Sequence, residues 1–161
     1  MTPRYARAPR GERAVGAVPR NQGENLTLIA ALTADGLGPA MTLPGAADAP
    51  AFVAYVREVL APALVPGQVV VLDNLSVHKG AEVRRLVEAC GCRLLFLPPY
   101  SPDFAPIELA FAKIKQALRR TAARTRASLE AAIAAALDTI TTQDAANWFR
   151  HCGYTRPAQL L

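Results

Sequence analysis

The sequence predicts a mixed α/β domain: a sheet antiparallel in one part and parallel in another, with helices on its faces. Three observations predict it. Short apolar runs broken by turn residues occupy the first third of the chain, the pattern of antiparallel strands. Continuous apolar runs of strand length then alternate with helical patterns, which reads as strand–helix–strand units with right-handed crossovers. Of 161 residues, 52% are hydrophobic and 19% charged, a globular balance on a chain long enough to bury a core without disulfides.

The elements follow in order. Residues 1–20 form a basic arm carrying Arg4, Arg7, Arg10, Arg13 and Arg20; a solvated tail and a DNA-contacting arm are both open readings. The core spans 21–154 and the tail 155–161, in a single domain. Residues 12–18 and 25–34 read as strands, separated by turn material from Pro19 to Gly23. Asp35-Gly36 marks a further turn before a short strand around 39–43. Residues 49–61 place Phe52, Val53, Val56, Val59 and Leu60 at helical spacing behind Asp48, a natural N-cap.

The run 68–72 (QVVVL) is unbroken in its apolar character after Gln68 and suits a strand buried on both faces. It ends on Asp73-Asn74. A helix is expected over 81–89, with Val83, Leu86 and Val87 inward and Gly91 ending it. Residues 93–97 read as a second buried strand. The proline-rich loop PPYSPDFAP leads into a helix starting at Pro106 and running to about Arg120. Another helix is expected over 128–139 with Ser128 as N-cap. Trp148, Phe149 and Tyr154 are expected to pack back on the domain.

Composition excludes several classes. No segment reaches the ~18 apolar residues that span a bilayer, and MTPRYARAPRGERA has no apolar stretch after its charges, so it is no signal peptide. The expected location is the cytoplasm, at the nucleoid, with no membrane partner. Cys90, Cys92 and Cys152 are odd in number and lack zinc-knuckle spacing, so reduced thiols are expected. The net charge of +5 and a pI of about 9.5 favour a polyanionic partner, though an ordinary basic protein has the same balance.

Two acids are candidates for chemistry. Asp73 follows directly on an apolar run, where sites form in open α/β sheets; a turn-capping aspartate would look the same. Glu108 lies in the first turn of its helix, where any acid is favourably placed. On a helical wheel Ile107, Phe111, Ile114 and Leu118 form the buried stripe. Lys115 and Arg119 lie beside Glu108, so the acid heads a basic row. Two carboxylates on neighbouring elements suit a divalent cation that also takes phosphate and water oxygens.

The strings VVVLDNLSVHKG and RLLFLPPYSPDFAPIELAFAKIKQALRR resemble the DDE-superfamily endonuclease domain of bacterial insertion-sequence transposases, in the branch related to mariner elements. That branch is similar in its Asp-Asn pair with a following His, in its Pro-Tyr-Ser-Pro-Asp loop leading to Pro-Ile-Glu, and in the spacing from Asp73 to Glu108. RAPRGERAVGAVPR, NLTLIAALTADG and NWFRHCGY also look like this family, so the likeness covers nearly the whole chain.

The resemblance implies a ribonuclease H-like fold and DNA transposition by metal-dependent strand cleavage and strand transfer at insertion-sequence ends. Asp73 and Glu108 would be the second and third catalytic acids and the metal ligands, for Mg²⁺ or Mn²⁺ in a two-metal site. Asn74, His78, Tyr100, Ser101, Pro102 and Asp103 match motif positions that support the site; for Asn74 and His78, fixing the loop by hydrogen bonds is the favoured role. Lys79, Lys113, Lys115, Arg119 and Arg120 would contact DNA phosphates, or are plain surface charges.

Two departures from the family pattern stand out. Ala105 replaces the asparagine usual before Pro-Ile-Glu. The first acid belongs on a strand upstream of the segment matching RAPRGERAVG, and Glu12, Glu24 and Asp35 do not match it. The expectation is therefore a partial domain lacking its first strand, with open sheet edges and a tendency to associate. Its partners would be DNA, an upstream transposase segment or frameshift fusion, and a second copy as a homodimer. The rival expectation is an inactive remnant that binds DNA or a full-length transposase.

Overall fold

The computed structural model describes residues 7–15 and 25–154. Residues 7–15 contain a turn at Arg10-Gly11 and no strand. The expected 12–18 strand is thus not formed at 12–15, and its remainder lies outside the described residues, as do Arg4, Arg20, Glu24 and the 155–161 tail.

Strand β1 (Leu26–Thr33) pairs antiparallel with β2 (Gly36–Pro44) through a turn at Ala34-Asp35. Gly36 takes φ 141, a conformation an L side chain rarely adopts. The register slips between Ala30 and Leu32, giving β2 one extra residue around Gly38-Pro39. A proline, which has no N–H for the ladder, is tolerated at such a bulge.

The hairpin is followed by helix α1 (Ala49–Tyr55), capped as expected: the Ala51 amide donates to Asp48 Oδ1 at 2.9 Å. The helix does not stay α-helical to residue 61. It passes into a π turn, Val56–Leu60, and a 3-10 turn, Ala61–Ala63, within a proline-containing segment that cannot extend the ladder. Tyr55, 2% exposed, donates its hydroxyl to the Pro39 carbonyl at 2.9 Å, and burial pushes its pKa up to about 12. This bond ties α1 to the bulge.

Strand β3 (Val69–Leu72) leads into α2 (Ala81–Ala89) and then β4 (Arg93–Phe96), which pairs parallel with β3, Leu72 opposite Phe96. Gly91, at φ 71, ends α2 in the left-handed region. Helices α3 (Pro106–Thr121), α4 (Arg126–Asp138) and α5 (Thr142–His151) complete the chain.

Two cores result. Phe52, Tyr55, Val56, Leu60, Val83, Val87, Cys92 and Leu94 are buried together, with Ile29 and Ala31 of β1 and Val70 and Leu72 of β3 packed against them. On the other face of the hairpin, Leu26 and Leu28 pack against a second cluster, Ile114, Leu118, Ala132, Ile133 and Ala136 of α3 and α4. The period-2 alternation of β1 thus serves a helical layer on each side.

Three expectations are corrected, and one element is added. Among the described residues the strands form two separate two-stranded sheets rather than one continuous mixed sheet; they share the first core, not hydrogen bonds. Strand β3 is not buried on both faces: Val69 and Val71 of β3 and Leu95 of β4 are 43, 40 and 48% exposed, because α1 and α2 cover only the face carrying Val70, Leu72 and Leu94. Helix α4 starts earlier than expected, with Thr125 as N-cap and Ser128 at the third position, each accepting from the other's amide. Residues 142–151 form α5, an element added to those expected. The unused signal is Thr141-x-x-Asp144, a capping box with aspartate in place of glutamate.

Candidate functional site

Asp73 follows the last residue of β3, and Leu97, following β4, donates its amide to the Leu72 carbonyl at 2.8 Å. The loop from Leu97 runs through a 3-10 turn, Pro102–Phe104, to α3, where Glu108 is in the first turn. Asp73 therefore lies at the carboxyl end of the parallel pair, where ligand sites form in such sheets, and Glu108 follows twelve residues after β4 ends at Phe96.

Asp73 is held on one oxygen. Its Oδ1 receives the Leu75 amide at 3.1 Å and lies 2.5 Å from His78 Nδ1. The His78 ring stands 4.2 Å from that of Phe52, centroid to centroid, and Phe52 belongs to the first core. A chain of contacts thus runs from the core through Phe52 and His78 to Asp73. His78 reaches Asp73 because Ser76–His78 is a 3-10 turn. The carboxylate remains half-exposed, with both hydrogen bonds on Oδ1, so Oδ2 is available to another donor or a cation. Asn74 is half-buried in the bend that follows.

Glu108 is exposed and its carboxylate has no ion pair or hydrogen bond among the described residues. Pro106 occupies the first helical position, and Ala105 is the N-cap with no side-chain bond, which leaves the helix start uncapped where the family's usual asparagine is missing. Ahead of it, Tyr100 is fully exposed and sits at φ 55. Ser101 donates its hydroxyl to the Pro99 carbonyl at 3.2 Å, Pro102 and Asp103 form the 3-10 turn, and the Ala105 amide donates to the Pro102 carbonyl at 2.9 Å. The three prolines of Pro98, Pro99 and Pro102 restrict this backbone further.

The predicted wheel of α3 matches the packing at Phe111, Ile114 and Leu118, while Ile107 of the expected stripe is only half-buried. Ala110, Ile114 and Leu118 are buried and Phe111 packs beside them, while Lys115, Arg119 and Arg120 are exposed. Lys115, Arg119, Arg120 and Lys79 make no ion pair among the described residues. Lys113, expected as a DNA contact or a plain surface charge, is bonded within the chain. Its ammonium donates to the Thr139 carbonyl at 2.7 Å and to Asp144 Oδ2 at 2.6 Å, so two of its three donors are committed to joining α3 to α4 and α5.

Among the described residues no group of three His, Cys, Asp or Glu side chains is arranged to hold a metal ion. The candidate hard oxygen donors are the carboxylates of Asp73 and Glu108. That donor set fits Mg²⁺ or Mn²⁺, which need only one or two protein carboxylates when water and substrate phosphate complete the shell.

Residues 1–130 match the family model described as DDE superfamily endonuclease. The chain belongs to the DDE endonuclease superfamily. No curated protein matches this DDE chain by sequence. Solved structures similar to it include the Mos1 transposase paired-end complex with left transposon end, at a TM-score of 0.75 and 19% identity, over 94% of this chain and 47% of that one. The Mos1 strand transfer complex is similar at 0.73 and 19%, with the same coverage. The Mos1 mariner paired end complex with Mn is similar at 0.69 and 18%, over 94% of this chain and 48% of that one. The DDE chain spans about half the length of the chains it matches. At these identities the likeness establishes the fold, which is ribonuclease H-like as the resemblance implied.

Proposed function

We propose that this DDE chain is the part of a DNA transposase that carries the second and third catalytic acids, Asp73 and Glu108, and acts in metal-dependent cleavage and strand transfer at insertion-sequence ends. The observations that support the reading are Asp73 at the carboxyl end of the parallel pair with Oδ2 free and Glu108 in the first turn of α3 with its carboxylate unbonded among the described residues, in a chain of this family. A divalent cation bound there would stabilise charge on the oxygens of the reacting phosphodiester. His78 holds Asp73 in one orientation through Oδ1 and leaves Oδ2 outward. The stiff loop ahead of α3 places Glu108. Lys115, Arg119 and Arg120, with Lys79, offer unpaired positive charge to the phosphate backbone, and Arg7, Arg10 and Arg13 extend that charge along the arm. No covalent protein–DNA bond is required, so positioning and electrostatics carry the rate.

Because the described residues offer two acids rather than three, a second reading stands beside it: a remnant that binds DNA, or a full-length transposase, without cutting. Nicking of element-end duplex in Mg²⁺ or Mn²⁺, with DNA binding followed in parallel, separates them. Nicking lost in both Asp73→Asn and Glu108→Gln supports the catalytic reading. Salt-sensitive binding without nicking supports the remnant. Nicking that survives both substitutions contradicts the assignment of the acids.

A further inference from the structure

The helix that presents Glu108 begins without a cap of its own, and the structure supplies a hold from elsewhere. Tyr154, fifty residues away, donates its hydroxyl to the Phe104 carbonyl at 2.8 Å. Phe104 is the last residue of the 3-10 turn before the Ala105 cap, so the bond lands on the backbone that aims the first turn of α3. Tyr154 is itself fixed: its amide donates to the Phe149 carbonyl at 2.9 Å, and its ring meets that of Phe149 edge-on at 5.6 Å. Burial raises the pKa of its phenol, so the group stays a donor. Lower on α3, Lys113 is bonded to Asp144 of α5. The segment of α5 and Tyr154 thus grips α3 at its start and at its middle. It lies beyond the residues that match the family model.

We propose that Tyr154 is a positioning residue for Glu108, holding the uncapped start of α3 in register through the Phe104 carbonyl, with the Asp144–Lys113 bridge as the second point of attachment. This rests on the reading of Glu108 as a metal ligand. A side-chain cap on residue 105 would fix the same turn from within; with alanine there, the tether from the end of the chain does so. The bond is neutral, single and partly open to solvent, so its loss should loosen the turn without unfolding the domain.

The test compares wild type, Tyr154→Phe, Glu108→Gln and the double variant by backbone hydrogen exchange and by Mn²⁺ titration. Tyr154→Phe should speed exchange at residues 104–110 by roughly 2- to 10-fold and leave the β1–β2 hairpin and α4 unchanged. It should also weaken Mn²⁺ binding in the wild-type background and have no further effect once Glu108 is glutamine. Unchanged exchange at 104–110 overturns the tether, as does exchange that rises throughout the chain. Equal loss of Mn²⁺ affinity with and without Glu108 shows that Tyr154 does not act through that acid and overturns its positioning role. If Glu108→Gln leaves Mn²⁺ binding unaltered, the site reading itself falls, and the positioning role with it. If Glu108→Gln weakens binding and Tyr154→Phe does not, the tether alone is overturned.

Discussion

At the scale of single residues, what a side chain bonds to at a distance separates legible from illegible. The placement of Asp73 after β3 and of Glu108 in the first turn of α3 was readable because each sits at an element boundary marked by local pattern: an apolar run before one, proline at the first helical position before the other. Ala105 was also readable, and its consequence is local. The N-cap of α3 carries no side-chain oxygen, so Ala105→Asn should stabilise the protein by about 1 kcal/mol, seen as a melting temperature raised by roughly 2–4 °C. An unchanged or lowered value would mean that the loop cannot turn an asparagine toward the helix. The partner of His78 needed the 3-10 turn to be known. With Asp73 Oδ1 in its grip, His78→Ala should weaken Mn²⁺ binding by roughly 10-fold or more without lowering the melting temperature to match. The bond of Lys113 to Asp144 was not readable because the two lie 31 positions apart, and nothing local distinguishes a structural lysine from a surface one.

At the scale of elements, strands and helices with strong period were found, and their ends were less sure. Ser128 and Thr125 are both good caps, and their reciprocal bonding hides which one starts the helix. A π turn of five residues, Val56–Leu60, is too short for its wider i→i+5 spacing to stand out from an α-helical pattern. At the other end of α3, Ala122 closes the helix at φ 49, where a Cβ is disfavoured; Ala122→Gly should stabilise by about 1 kcal/mol, measurable by urea unfolding. Helix α5 depends on Asp144. The Lys113 ammonium and the Thr141 amide and hydroxyl lower its carboxyl to about 2 from 3.8. A depressed acid adds stability above its unfolded pKa and loses it as pH falls through the folded one. The contribution of Asp144 should therefore be whole at neutral pH and fade between 3.8 and about 2. Its partly solvated setting limits the ion pair to about 1 kcal/mol or less. Asp144→Asn should lower stability at pH 7 and flatten the acid limb; an unchanged acid limb would show that the bridge contributes nothing to the fold.

At the scale of the whole molecule, the fold class was legible because antiparallel runs and strand–helix–strand units leave different signatures. The division of the strands into two pairs was not, since apolar runs say which residues want burial and not whether a neighbour is present to bury them. Val69, Val71 and Leu95 accordingly lie on a face that nothing described covers. Such a face favours association, so sedimentation should show concentration-dependent oligomers that Leu95→Lys diminishes; a monomer at all concentrations would mean that the face is covered in solution. The pairing of Asp73 with Glu108 around a cation remains the claim on which the function turns. Mn²⁺ titration followed by electron paramagnetic resonance tests it most directly. Wild type should bind the ion, Asp73→Asn and Glu108→Gln should each weaken that binding at least 10-fold (about 1.4 kcal/mol or more), and circular dichroism should show both variants folded. Binding that is indifferent to both substitutions would contradict it.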